Sequence, residues 1–285
     1  MQALEAATQR ASFYVGDAKP GSRRRPKTRL GKKTEMEFSK VPWGPLAAVL
    51  YALGVFVVAQ LLAPIVLIIY PHLRGWDTAT ANAWLDGSIV AQFGYVLCAE
   101  VLTFGAVWWF LNGRGASLRA IGWRRPRWTD PLHTLAGLVV YFATYAVILA
   151  LVTHLFPSLN VNQKQELGFD NPTTSRMALL LTFLSLVVLP PVVEEVLFRG
   201  FMFTGLRTKL KPIGAALLTS ALFATAHLEF GSGKPLLWVA GIDTFTLSLV
   251  LCYLRHKTDS LWPGIFLHAL KNFIAFASLY LFVAH

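Results

Sequence analysis

Long apolar runs alternate along this chain with short polar segments rich in Arg and Lys. Residues 44–72 hold no Asp, Glu, Lys or Arg at all. A helix needs about 18–20 apolar residues to cross a bilayer. Seven stretches read as spans: about 44–71, 88–112, 132–156, 177–208, 213–228, 236–254 and 261–284. An eighth arises if the last one breaks. The pattern predicts an all-α polytopic membrane bundle with seven or eight transmembrane helices. Residues 1–42 are polar and basic and read as a disordered cytoplasmic tail. Residues 43–285 read as one membrane domain.

Composition supports this division. The chain is 55% hydrophobic and 14% charged, which is too apolar for a soluble domain. A net charge of +11 would fit a nucleic-acid binder. Its distribution argues against one, because the basic residues cluster in segments flanking the spans. With the N-terminus placed in the cytoplasm, twenty Lys and Arg fall on the cytoplasmic side. They include the run Arg23-Arg24-Arg25 and five arginines in the loop Gly113–Asp130. Four fall opposite: Arg74, Lys164, Arg176 and Lys234. That asymmetry predicts an integral cell-membrane protein with its N-terminus inside. Trp43, Tyr70, Trp108, Trp109 and Trp262 lie near span ends, where amphipathic rings sit at the interface. Gly113–Asp130 interleaves Trp123 and Trp128 with its arginines and reads as a membrane-surface segment or a plain connecting loop. Cys98 and Cys252 match no zinc or redox spacing and read as buried thiols.

Charge inside the spans is costly, roughly 3 kcal/mol for a mid-bilayer carboxylate by insertion scales. Glu194 and Glu195 therefore need a reason. On a helix, Glu195 and Arg199 share a face four residues apart and can pair. Glu194 points about 100° away and stays available for protons. Pro190-Pro191 just before should disturb the helix and free backbone carbonyls. The next span carries Phe223 and His227, again four apart. Glu194 and His227 stand about equally far from the turn near Pro212, so antiparallel neighbours bring them to similar depth. The last span carries His268 and Asn272 on one face, although His268 reads as shallower than Glu194. Glu194, His227, His268 and Asn272 are expected to line one cavity. Glu100, Asp243 and Lys271 are further ionisable residues within spans. Asp243 could orient a histidine, and Lys271 could extend toward the interface.

Glu-Glu-x-x-x-Arg, Phe-x-x-x-His and His-x-x-x-Asn, in that order on separate spans, resemble the CPBP family of intramembrane endopeptidases. That family includes the Ras-converting type of CAAX prenyl proteases and bacterial immunity or Abi relatives. The run Leu261-Trp262-Pro263-Gly264-Ile265-Phe266-Leu267-His268-Ala269 strengthens the likeness, which covers about residues 177–275. The resemblance implies hydrolysis of a peptide bond in a membrane-associated protein or a lipid-modified peptide tail. In one mechanism Glu194 and His227 activate water while His268 and Asn272 stabilise the oxyanion, with Glu195, Arg199 and Phe223 supporting. In the other, Glu194, His227 and His268 hold zinc. The missing His-Glu-x-x-His signature and the presence of Asn272 favour the first, which needs no cofactor. Two rivals are a non-proteolytic membrane scaffold or immunity protein, and a proton-coupled transporter. The intact residue set weighs against the former, and the lack of an internal repeat against the latter.

The topology is directly testable. A reporter fused after Arg125 should read out as cytoplasmic, and an extracytoplasmic signal would overturn the assignment.

Overall fold

The computed structural model describes residues 41–163, 169, 175–228 and 236–282. All but the last two residues of the expected tail lie outside them, as do Lys164 and Lys234. Among the described residues all regular structure is helical, and helices occupy each predicted stretch. They are α1 (Pro45–Leu67), α2 (Ile69–Leu73), α3 (Thr78–Gly87), α4 (Ile89–Gly113), α5 (Asp130–Leu155), α6 (Arg176–Leu206), α7 (Pro212–Thr225), α8 (Trp238–Thr258) and α9 (Trp262–Tyr280). Five are long and apolar enough to cross a membrane: α1 with α2, then α4, α5, α6 and α8. With 14 residues, α7 is shorter than a full span. The α9 helix has 19 residues, one of them Lys271, and is not among the five.

The spans face outward with their large apolar side chains. Leu61, Ile65, Val139 and Val147 are exposed, as lipid contact requires. Inward faces are built from small residues. Ala48, Ala52, Ala59 and Ala63 form one buried stripe on α1, and α1 packs along α4. Such stripes let helix backbones approach where lipid offers no hydrophobic drive between helices. The α7 helix lies along α8, and α5 and α9 pack on α8 and on each other.

The centre of the bundle is α6. Its second half touches α1, α4, α7 and α8, and its middle touches α9. Every residue from Glu195 to Leu206 is buried. This helix is not regular: Leu184–Val188 and Glu195–Met202 are π-helical. The disturbance expected from Pro190-Pro191 thus takes the form of widened turns. Neither proline has an N–H, so Leu186 O loses both its i+4 and its i+5 backbone donor.

Three features differ from the sequence reading. The α3 helix was not anticipated; Asp77 caps it by accepting from Thr80 N at 2.7 Å, and this bond holds the Asp77 carboxyl below the usual range. Trp108 and Trp109 are exposed as interfacial rings should be, but Trp43 is only 4% exposed. Its indole stacks on Phe201 at 5.0 Å, and Nε1 donates to Phe201 O at 3.2 Å. Gly113–Asp130 has local structure that the sequence reading did not give it. It holds a 3₁₀ turn, Leu118–Ile121, and buries Ile121 against Gly200 of α6.

Trp43 ties the start of α1 to the central helix. Trp43→Ala should cost about 3–5 kcal/mol of stability and Trp43→Phe clearly less. Thermal unfolding of both variants in detergent checks this, and an Ala variant as stable as wild type overturns it.

Candidate active site

The two glutamates have separate environments. Glu195 and Arg199 are 1% and 0% exposed at their side chains, and Arg199 Nη1 lies 2.9 Å from Glu195 Oε1. The guanidinium sits 4.3 Å over the centre of the Phe223 ring, which supplies a second contact to the cation. Glu194, one residue earlier, is half-buried.

His268 from α9 reaches both carboxylates. Nδ1 is 3.2 Å from Glu195 Oε1, and Nε2 is 3.8 Å from Glu194 Oε2. A proton on Nδ1 is donated to Glu195, which turns Nε2 toward Glu194. The sequence reads His268 as shallower than Glu194 and leaves open how the gap closes. The α9 helix begins deep, because Gly264 in its first turn lies against Glu195: a Cβ there would stand 3.0 Å from Oε2. A side chain at 264 would push α9 away from α6.

His227 adjoins the group through Phe223. The Phe223 ring centre lies 4.6 Å from His227 and 6.1 Å from His268. His227 Nδ1 lies 2.8 Å from Phe223 O, an acceptor only, so Nδ1 carries the proton and Nε2 is left as the basic nitrogen. Asn272 is not simply open to a substrate. Its Nδ2 donates to Leu186 O at 2.9 Å, the carbonyl stripped of donors by Pro190 and Pro191. One amide hydrogen therefore has a structural task, and the second remains for other work.

A cavity of about 10 Å³, close to the space of one water, is lined by Glu194 and Glu100 with Gln60 and Thr103 among its walls. Neither histidine nor Asn272 lines it. Gln60 and Thr103 were missed in the sequence. A single Gln inside the uncharged 44–72 run was the available signal. Tyr95 donates its hydroxyl to Gln60 Oε1, fixing that amide from α4.

Among the described residues Asp243 makes no hydrogen bond or ion pair with a histidine. Asp243 and Lys271 pair with each other at 2.6 Å, and Tyr141 of α5 donates its hydroxyl to Asp243. Opposite charges meeting across α8 and α9 lower the cost of both.

Zinc would need Glu194, His227 and His268 gathered about one point, roughly 2 Å from each donor. Among the described residues no three His, Cys, Asp or Glu side chains form a group able to hold a metal. The arrangement of the described residues does not fit the zinc reading.

Residues 176–274 match the family model described as Type II CAAX prenyl endopeptidase Rce1-like. The match runs from the first residue of α6 into α9 and takes in every residue of the candidate site except Glu100, Gln60 and Thr103. Over that segment the chain is similar to the CPBP and CAAX-type protease family. No curated protein and no solved structure matches the chain.

Removing Arg199 would leave Glu195 buried and unpaired. Arg199→Ala should therefore cost about 3–5 kcal/mol. Arg199→Lys keeps the charge but loses the planar contact with Phe223, so it should fall between. Melting temperatures of the purified variants decide this; wild-type stability in Arg199→Ala would count against the pair as a structural element.

Proposed function

We propose that this chain is an intramembrane endopeptidase that hydrolyses a peptide bond in a membrane-associated, CAAX-like lipid-modified protein or peptide, without a metal. The observation that carries this reading is His268, held by Glu195 and turned toward Glu194, within the segment that matches the endopeptidase family. The membrane domain is taken as residues 43–285, with the N-terminus and Gly113–Asp130 on the cytoplasmic face.

Glu194 is the general base. It removes a proton from a water beside it, and the oxygen attacks the scissile carbonyl carbon. His227 offers Nε2 as a second acceptor for that water. The carbonyl π electrons move onto oxygen, and the resulting oxyanion accepts from the remaining Asn272 amide hydrogen, with His268 alongside. Glu194 then returns the proton to the departing amine as the C–N bond breaks. Glu195 and Arg199 do no proton transfer; they orient His268. Glu100 and Gln60 face Glu194 across the small cavity and hold water within its reach.

Glu194→Gln and His227→Ala should each abolish cleavage of a membrane-reconstituted, lipid-modified peptide while leaving the melting temperature near wild type. Asn272→Ala should lower turnover by about 10²–10³. It should also lose about 1–3 kcal/mol of stability, because Leu186 O is left without a partner. Chelators should leave activity intact. Full cleavage by a well-folded Glu194→Gln removes the protease assignment for this site. Loss of cleavage on chelation, restored by zinc, keeps the protease and replaces the mechanism. No cleavage by wild type on any lipid-modified tail would favour the scaffold reading.

A further inference from the structure

One end of the bundle carries a second concave site, remote in chemistry from the carboxylates. It lies where α4 ends, α5 begins, and α8 turns into α9. Its volume is about 1080 Å³. Five arginines line it: Arg114, Arg119, Arg124, Arg125 and Arg255. One acid, Asp259, faces them and already pairs with Arg124 and with Arg255, the latter at 2.7 Å. Arg114, Arg119 and Arg125 make no ion pair among the described residues. Arg114 donates to Pro42 O at 3.1 Å, which fixes its position but leaves its charge unbalanced.

The cationic wall is a built one. Gly122 adopts φ +90°, and a Cβ there would stand 2.6 Å from the Arg255 guanidinium carbon. Only glycine fits that backbone and that contact together. Trp123 and Trp262 rings meet at 5.2 Å, Leu261 N donates to Gly122 O at 3.0 Å, and Trp262 Nε1 donates to Arg124 O. The arginine loop is thereby clamped to the first turn of α9.

A neighbouring groove of about 590 Å³ shares Ser117, Arg119 and Trp123 with the pocket. It also takes in Trp108, exposed near the end of α4 where a ring meets the bilayer interface. The groove and the pocket thus adjoin, with Trp108 at one end and the arginines at the other. Guanidinium forks match phosphate oxygens two at a time. Basic pockets between helices at the membrane edge take anionic head groups.

We propose that this arginine pocket binds a phosphate ester, the head group of an anionic phospholipid reaching in past Trp108. Because the loop is clamped to α9, the occupied pocket steadies the helix that carries His268 and Asn272. The inference stands apart from the protease reading and needs no cleavage to be tested.

The full chain is reconstituted in nanodiscs, and the lipid retained after extraction into detergent is measured by mass spectrometry. Phosphatidylglycerol should be retained in preference to phosphatidylcholine. Arg119→Gln with Arg125→Gln should weaken that retention by about 25-fold, at about fivefold per arginine. Excess inorganic phosphate separates the sources. If it displaces the lipid, the pocket reads the phosphate itself; if it does not, the lipid-anchored ester is required. Equal retention of the two lipids by wild-type protein overturns the proposal, and this arm needs no variant to fold. Unchanged phosphatidylglycerol retention in a well-folded double variant overturns it as well.

Discussion

The buried pair of Glu195 and Arg199 is the constraint around which the bundle is arranged. A carboxylate and a guanidinium taken fully out of water need close partners. The structure supplies them from three helices, although Arg199 Nε and Nη2 make no hydrogen bond among the described residues. Arg199 and His268 share Glu195 Oε1, Gly264 lets α9 come against Oε2, and Phe223 of α7 covers the guanidinium. Each contact is also a statement about position. His268 sits where it does because Glu195 holds its Nδ1, and Phe223 stands between Arg199 and the two histidines because the cation needs its face. The ion pair is thus less a source of stability than a device that fixes register among α6, α7 and α9.

A second constraint follows from the prolines in α6. Two adjacent residues without N–H groups strip Leu186 O of donors, in a place where water cannot serve as the replacement. Asn272 supplies the missing bond from α9. The same helix is therefore attached to α6 at two levels, by His268 at the glutamates and by Asn272 one turn along its own axis, at the π turn. Lys271 adds a third attachment, to Asp243 on α8. Residues that look like a catalytic set in the sequence are in part the fasteners of the last helix. For Asn272 both roles are compatible, because the amide has two hydrogens to donate.

What could be read from the sequence follows from the range of the interactions. The helical stretches were legible because bilayer length and apolarity are local properties. Glu195 with Arg199 was legible because four-residue spacing fixes a shared face. Depth across non-adjacent helices was not: the sequence left open how His268 reaches Glu194, and the approach of Gly264 to Glu195 answers it. The Asp243–Lys271 pair, and Tyr141 upon it, join α5, α8 and α9, and no spacing within one helix announces such a meeting. The burial of Trp43, and of Ile121 in the Gly113–Asp130 loop, was not legible for a related reason. An aromatic or basic residue near a span end has the same local pattern whether it faces lipid or folds back onto α6.

The distribution of intramembrane charge separates the carboxylates by task. Glu195 has Arg199 and Asp243 has Lys271, so each is matched to a cation. Among the described residues Glu194 and Glu100 have no Lys or Arg partner, and they face one small cavity together with Gln60. A carboxylate locked to a guanidinium is a poor proton acceptor, because taking a proton would strand the cation in a dry core. A carboxylate beside a water-sized space, with the Nε2 of an oriented histidine 3.8 Å away, carries no such penalty. Two neighbouring glutamates of identical chemistry thus diverge through their surroundings alone. Adjacent on one helix, they point about 100° apart, so one faces the ion pair while the other faces the cavity.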